Sequence, residues 1–384
     1  MKLPANLKFN NYPQQFKIED YQEVLNLAVE DLKKNKDVLA VYSMGQNWVP
    51  GLSDLDVIVV YRDGVLKLHS RDPRTLSEKA GYIFTHDYMH FNVSSFKNLY
   101  YVYPDRFSLQ LLYGDKIELV NPQDELSEDE YQLLEVSLVM DFLVTKLLFP
   151  RYLTANPINI RNILLFIYSF THTIEMIERL TEHKIQFDFS ERIKELRVSW
   201  FLNKKEENEK LLIEAMEKAF LVTAMLVENL DDFLKTKFDL SLLPSKTEFC
   251  CPNFYIVGVQ KWDKEQFWQS FIKESVRIKV PILGKILKNY KILVPKSFFP
   301  LFYLYANQHG PYGDWFKMFL KKGNNIHFDS LGIAKRTEVL NKVPVKNNQE
   351  MLFTLPFQYG FHTASRFKEY FRVRLVYIKR LLRI

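Results

Sequence analysis

The sequence predicts an α+β protein: a mixed sheet flanked by helices, followed by a helical bundle and then a basic, aromatic-rich C-terminal domain. Three observations carry that prediction. Short apolar runs of strand character lie among turn residues in positions 1–122. Helical periodicity dominates 123–240, whereas 241–384 is cut by prolines and rich in Lys, Arg and aromatic residues.

From Ile18 to about Asn35, residues Tyr21, Val24, Leu25, Leu27, Ala28 and Leu32 recur among charged neighbours, which predicts an amphipathic helix. Val38–Tyr42 is an apolar strand. A loop of small residues separates it from a second strand, opened by Ser53-Asp54-Leu55-Asp56. Tyr88-Met89-His90-Phe91-Asn92-Val93-Ser94 alternates as a third strand, followed by Phe96, and Leu109–Leu119 reads as two apolar segments around Gly114.

Helices are expected over Ser127–Tyr152, Ile158–Thr181, Phe189–Phe201 and Lys204–Lys237. Ser127-Glu128-Asp129-Glu130 is a capping start with acids in the first turn, and Asn156-Pro157 marks the next break. Beyond residue 240, Pro252, Pro281, Pro295, Pro300, Pro311, Pro344 and Pro356 divide the chain into short pieces. Trp262, Trp268 and Trp315 lie there among Lys and Arg. That mixture suits RNA binding through stacking and phosphate contacts, and equally a small aromatic core under a basic surface. His309-Gly310-Pro311-Tyr312-Gly313-Asp314-Trp315 reads as a structural turn. In Ser365–Ile384 the stripe Phe367, Phe371, Leu375, Ile378, Leu382 is flanked by Arg and Lys. Such a helix suits an anionic membrane surface, a nucleic-acid backbone or docking on the preceding domain.

With 384 residues, 47% of them hydrophobic, more than one globular unit is expected. Met1-Lys2-Leu3-Pro4-Ala5-Asn6 has no apolar signal core, and the long apolar runs are interrupted by charges, so the expected location is cytoplasmic, with peripheral membrane contact through the basic end as an option. The two cysteines, Cys250 and Cys251, are adjacent and read as a reduced pair. The net charge of +6 is divided unevenly: residues 251–384 hold 23 Lys+Arg against 8 Asp+Glu, a net of +15, leaving 52 − 23 = 29 basic and 46 − 8 = 38 acidic residues before them, a net of −9. Two parts with different partners are implied.

Alternate side chains of a strand share a face, so Asp54 and Asp56 point together while Leu55 and Val57 enter the core. Adjacent carboxylates repel, and a divalent cation relieves that. Mg²⁺ (or Mn²⁺) takes a few carboxylate oxygens and leaves its other positions to water and phosphate. Ser43 and Gly45 stand eleven and nine residues before Asp54, where small residues let backbone N–H groups approach a triphosphate.

Ser43-Met44-Gly45 followed by Ser53-Asp54-Leu55-Asp56 resembles the nucleotidyltransferase superfamily of polymerase-β type, most closely the kanamycin and streptomycin nucleotidyltransferases. Their pattern is a Gly-Ser turn, about ten residues, then Ser-Asp-x-Asp or Ser-Asp-x-Glu. The resemblance implies a nucleotidyltransferase-type sheet over 1–122 and metal binding by Asp54 and Asp56. It also implies contact of Ser43 with the β- and γ-phosphates, a nucleotide site completed by Gly45, Gln46 and Ser53, and an NTP, ATP by expectation, as substrate. Tyr42 stands where the family has Gly, and its side chain would obstruct the phosphate turn unless Gly45-Gln46 serves instead.

The family adds a third carboxylate on a later strand. By alignment of the pattern His90 takes that position, as an imidazole base, and Asp87 falls three residues early, on the opposite side of the strand. Glu135, Asp141, Glu175 and Glu178 on the helical faces are further candidate bases. In the family a helical domain closes the cleft over nucleotide and acceptor, which the resemblance extends to 123–240.

The implied activity is Mg²⁺-dependent transfer of NMP from an NTP to an acceptor hydroxyl, with release of pyrophosphate. The acceptor is open: RNA, a protein, or a small hydroxylated or sugar compound. The basic C-terminal region ranks RNA or another anionic acceptor above a cationic aminoglycoside. The other reading is a catalytically degenerate member that binds nucleotide or serves as an RNA, membrane or protein interaction module.

Overall fold

The computed structural model describes residues 7–301 and 330–343 together with Leu3, apart from breaks at 46–47, 66, 105–107, 148, 150–156, 186–187, 238–242, 244–246, 251–253, 274–275 and 280–285. Gln46, Cys251, the His309–Trp315 turn and the Ser365–Ile384 helix lie outside the described residues.

The first part opens with a short strand, β1 (Phe9–Asn10), and a helix, α1 (Ile18–Leu32). Asp20 at the start of α1 accepts the Lys17 backbone N–H at 2.7 Å and so satisfies a donor before the first turn. Then come β2 (Val38–Met44), β3 (Asp56–Tyr61), α2 (Glu78–Ile83), β4 (Met89–Asn92), α3 (Val93–Lys97) and β5 (Leu109–Gly114). These strands form a four-stranded mixed sheet in the order β4-β3-β2-β5. β2 runs antiparallel to both β3 and β5, whereas β3 and β4 are parallel, with Ile58 opposite Met89.

Both faces of the sheet are covered, which is why Val57-Ile58-Val59-Val60-Tyr61 is continuously apolar. On one face Tyr21, Val24, Leu25 and Ala28 of α1 share a buried cluster with Val41, Leu55, Val57, Val59 and Tyr61. On the other, Tyr42, Met44, Ile58, Val60 and Phe91 join the core of the helices that follow. The tyrosine expected to obstruct a phosphate turn is therefore a core residue. The Tyr42 hydroxyl accepts the Ile117 N–H at 2.9 Å, and its ring lies 4.8 Å from that of Phe96.

A single turn, α4 (Pro122–Glu125), leads into α5 (Glu128–Leu147), and a two-residue strand, β6 (Ile158–Asn159), precedes α6 (Ile160–Thr181), α7 (Phe189–Ser199) and α8 (Lys205–Lys237). Ser127 makes the expected capping contact, its hydroxyl donating to Glu130 at 3.2 Å. α6 begins two residues later than its periodicity suggests because Ile158 and Asn159 pair with β1, after which the Asn159 side chain caps the helix by accepting Asn162 N–H at 3.0 Å.

The C-terminal part contains a second mixed sheet, in the order β7-β8-β10-β9, made of β7 (Glu248–Cys250), β8 (Phe254–Val259), β9 (Val276–Lys279) and β10 (Ile286–Pro295). β8 and β10 are parallel, and α9 (Lys264–Lys273) lies between them in the chain. Its Trp268 packs edge-on against Phe220 of α8, ring centroids 4.2 Å apart, and the Trp262 indole donates to Leu293 O at 3.0 Å. These two tryptophans belong to the packing. A last described helix, α10 (Leu331–Lys342), returns to α5, where Arg336 pairs with Asp141. One buried apolar cluster runs through all three parts, from Ala40 to Leu340. Among the described residues no helix is long and apolar enough to cross a membrane.

Candidate functional site

The loop between β2 and β3 is held from three sides. Gly45 ends β2 with φ of 74°, its N–H donating to Ser108 O at 2.9 Å. Gly51 has φ of 84°, and a Cβ there would lie 2.0 Å from Gln14 O, so only glycine fits. The Tyr21 hydroxyl of α1 accepts Gly51 N–H at 3.0 Å and donates to Ser53 O at 2.6 Å, while the Tyr82 hydroxyl of α2 donates to Gly51 O at 2.9 Å. From the bundle, Arg197 of α7 donates to Ser53 Oγ at 2.9 Å, which also accepts Val49 N–H at 2.9 Å. Ser53 thus positions the loop through its own hydroxyl.

This loop delivers Asp54 and Asp56 to the start of β3, on the face shared with Ile58 and Val60, as strand alternation requires. Leu55 and Val57 go into the opposite core, as expected. Thr85 donates to Asp54 Oδ2 at 2.5 Å, and His86 Nε2 meets Asp56 Oδ1 at 2.7 Å. The other ring nitrogen, Nδ1, faces Asp87 O at 2.8 Å. Both partners of the ring can only accept, so His86 is an imidazolium. Burial alone would lower its pKa, but the hydrogen bond and charge of Asp56, reinforced by Asp54, push it up to about 9. Burial, then the charge of Asp56, raises the Asp54 pKa against the opposing pull of His86 and Thr85.

The structure therefore gathers a set that sequence spacing does not: Thr85, His86, Asp54 and Asp56, backed by Arg197. The parallel register explains it. With Ile58 opposite Met89, two residues back along each strand bring Asp56 level with Asp87, so the Thr85-His86-Asp87 segment leads into β4 beside the acidic pair. Asp87, three residues before His90, lies in that segment, and its carboxylate accepts Tyr88 N–H at 2.7 Å.

Two expected site residues lie elsewhere. His90 alternates with Met89 and Phe91 and so projects to the α1 side of the sheet, where its Nδ1 is 3.0 Å from the Tyr61 hydroxyl. It is not with the aspartates. Ser43 lies opposite Val57, one residue out of phase with the Met44↔Asp56 pair, so its side chain is buried on the face away from Asp56. In both cases an odd offset along a strand exchanges the two faces. Of the helical acids, Glu135 pairs with Arg179, Asp141 with Arg336, and Glu178 accepts Ile185 N–H at 2.7 Å, so these three serve the bundle.

Among the described residues no three His, Cys, Asp or Glu side chains converge on a common metal position. The aspartate pair nonetheless suits a hard cation: two oxygen donors share one face, the charge of Asp56 raises the proton affinity of Asp54, and the cation beside them now is the His86 ring. A metal at Asp56 would have to displace that ring.

Two buried guanidiniums flank the same loop. Arg197 is 2% exposed and stacks 4.1 Å from the Tyr168 ring, and Arg161 of α6 is 8% exposed and lies 3.7 Å from the Tyr82 ring. Burial pulls the Arg197 pKa down, while Tyr168, Asp54 and Tyr21 oppose that pull. The chain gives no significant match to a protein-family model, to a curated protein or to a solved structure.

Proposed function

We propose that this protein has a nucleotidyltransferase-type sheet and moves NMP from an NTP to an acceptor hydroxyl, using Asp54 and Asp56 to hold Mg²⁺ or Mn²⁺. The observation that carries the reading is the Asp54–Asp56 pair at the start of β3, on one face, with antiparallel β2 on one side and parallel β4 on the other. When bound, the metal supplies charge neutralisation for the transferring phosphoryl group and the departing pyrophosphate.

In the transfer the acceptor oxygen forms a bond to the α-phosphorus and the bond from that phosphorus to the bridging oxygen breaks, so pyrophosphate leaves with the electron pair. The hydroxyl proton leaves to water, because Asp54 and Asp56 would both be engaged by the metal. His86 is already protonated, which makes it a counter-charge and not a base. The Gly45 turn, and not the Ser43 side chain, is the part of the phosphate loop that stands free of the core: a Cβ on Gly45 would meet nothing within 4 Å.

One observation favours a second reading, a degenerate nucleotide-binding module. The His86 ring takes the cation's place beside Asp56, and no third ligand converges among the described residues. Incubation with each α-³²P-labelled NTP, Mg²⁺ or Mn²⁺ and cell extract separates the two. Label transferred by wild type and lost in the Asp54→Ala/Asp56→Ala double variant supports the enzyme. Nucleotide binding without transfer supports the module.

A further inference from the structure

We propose that Arg161 and Arg197 form a buried subsite for a phosphate-class oxyanion, presented by the helical bundle to the Gly51–Asp54 loop. The subsite stands on the two guanidiniums alone and does not depend on the transfer reaction.

Arg197 has a single hydrogen bond, to Ser53 Oγ, and its Nε and Nη1 atoms are buried with no partner among the described residues. Arg161 has none for its side chain, and its Nε and Nη2 are likewise buried and without a partner. Neither forms an ion pair there. Each is stacked on a tyrosine ring, Tyr168 for Arg197 and Tyr82 for Arg161, which orients the guanidinium plane but leaves its N–H edge unsatisfied. Arg197 bonds Ser53 itself, and Arg161 stacks on Tyr82, whose hydroxyl donates to Gly51 O, so the two reach one loop from α7 and α6.

Burying an arginine without an ion-paired carboxylate is unfavourable, and unused N–H groups add to that. A purely structural clamp on Ser53 needs only one neutral donor. Four buried N–H-bearing nitrogens without partners match the demand of a tetrahedral oxyanion, which guanidinium forks bind in bidentate fashion. The Asp54 charge acts on Arg197 but meets only part of that demand, since Thr85 holds its Oδ2 and no ion pair joins it to Arg197 among the described residues.

The test is calorimetric titration of inorganic pyrophosphate into the full chain in EDTA. Saturable binding by wild type is expected, weakened about tenfold or more in Arg161→Met and in Arg197→Met and retained in Arg62→Met, a surface arginine paired with Asp37. No saturable binding by wild type, or equal affinity in the folded Arg variants, overturns the subsite. Should Arg197→Met fail to fold, Arg197→Lys keeps the charge without the fork and must still weaken binding. Saturation with a non-hydrolysable NTP and Mg²⁺ then identifies the source of the anion. Displaced pyrophosphate assigns the subsite to the triphosphate, and retained pyrophosphate assigns it to a phosphorylated acceptor. Absence of any NMP transfer would remove the enzymatic reading and leave the metal-free binding intact.

Discussion

Replacing His86 by Gln removes the cation hydrogen-bonded to Asp56 and keeps a hydrogen-bond donor for it. In wild type the His86 pKa moves from 6.5 to about 9. That rise of 2.5 (9 minus 6.5) is worth roughly 3 kcal/mol of folding free energy at ~1.4 kcal/mol per pH unit. The side chain is 14% exposed, so solvent screening takes little of it away. Because the folded pKa lies above the unfolded one, this stabilisation is complete below pH 6.5 and fades as the pH rises through about 9. The raised proton affinity of Asp54 has the same sign at lower pH, since its charged form is penalised in the fold. Urea unfolding in EDTA, followed by circular dichroism, should show the stability of wild type relative to His86→Gln falling across pH 6.5 to 9. An equal slope in both proteins would refute the imidazolium assignment.

Other elements of the account make separate predictions. Lys146 is buried against Phe166 and Phe170 with the Ser169 hydroxyl as its one hydrogen-bond partner among the described residues, and burial pushes its pKa down from 10.5 to about 7. A lowered lysine penalises the fold while the unfolded chain stays protonated, so Lys146→Met should be more stable than wild type at pH 7, and that difference should shrink as pH rises towards 10.5. Gly51→Ala should cost about 3 kcal/mol or more, because a Cβ would meet Gln14 O at 2.0 Å in a left-handed conformation; an unchanged Tm would contradict the loop geometry. Trp268→Ala should cost about 3 to 5 kcal/mol and shift the single unfolding transition of the whole core, whereas an independent C-terminal transition would show that the second sheet unfolds on its own.

Much of the fold is legible in the amino-acid pattern alone. The helices at 18–32, 128–147, 160–181, 189–199 and 205–237 follow from apolar periodicity, and β3 is announced by its apolar run after Ser53-Asp54-Leu55-Asp56. What the pattern does not carry is phase and partnership. Whether Ser43 or Met44 stands beside Asp56 depends on a pairing register set by both strands, and a one-residue offset changes the face. His86 gives no periodic signal because it sits in the irregular lead into β4, and only the parallel pairing of β3 with β4 brings it to Asp56. Arg161 and Arg197 lie more than a hundred residues from the loop they flank, on helices whose patterns mark them as ordinary charged positions. The prolines of the last part conceal a second sheet, since Pro295 ends β10 and Pro252 and Pro281 fall in the chain between its strands.

The central claim is that Asp54 and Asp56 together hold a divalent cation with nucleotide. Titration of ATP into the full chain with and without Mg²⁺, repeated on Asp54→Asn and Asp56→Asn, tests it most directly. The account predicts Mg²⁺-dependent binding by wild type that both variants lose while keeping their folded circular dichroism spectra. Equal binding by wild type and folded variants, or binding indifferent to Mg²⁺, would contradict it.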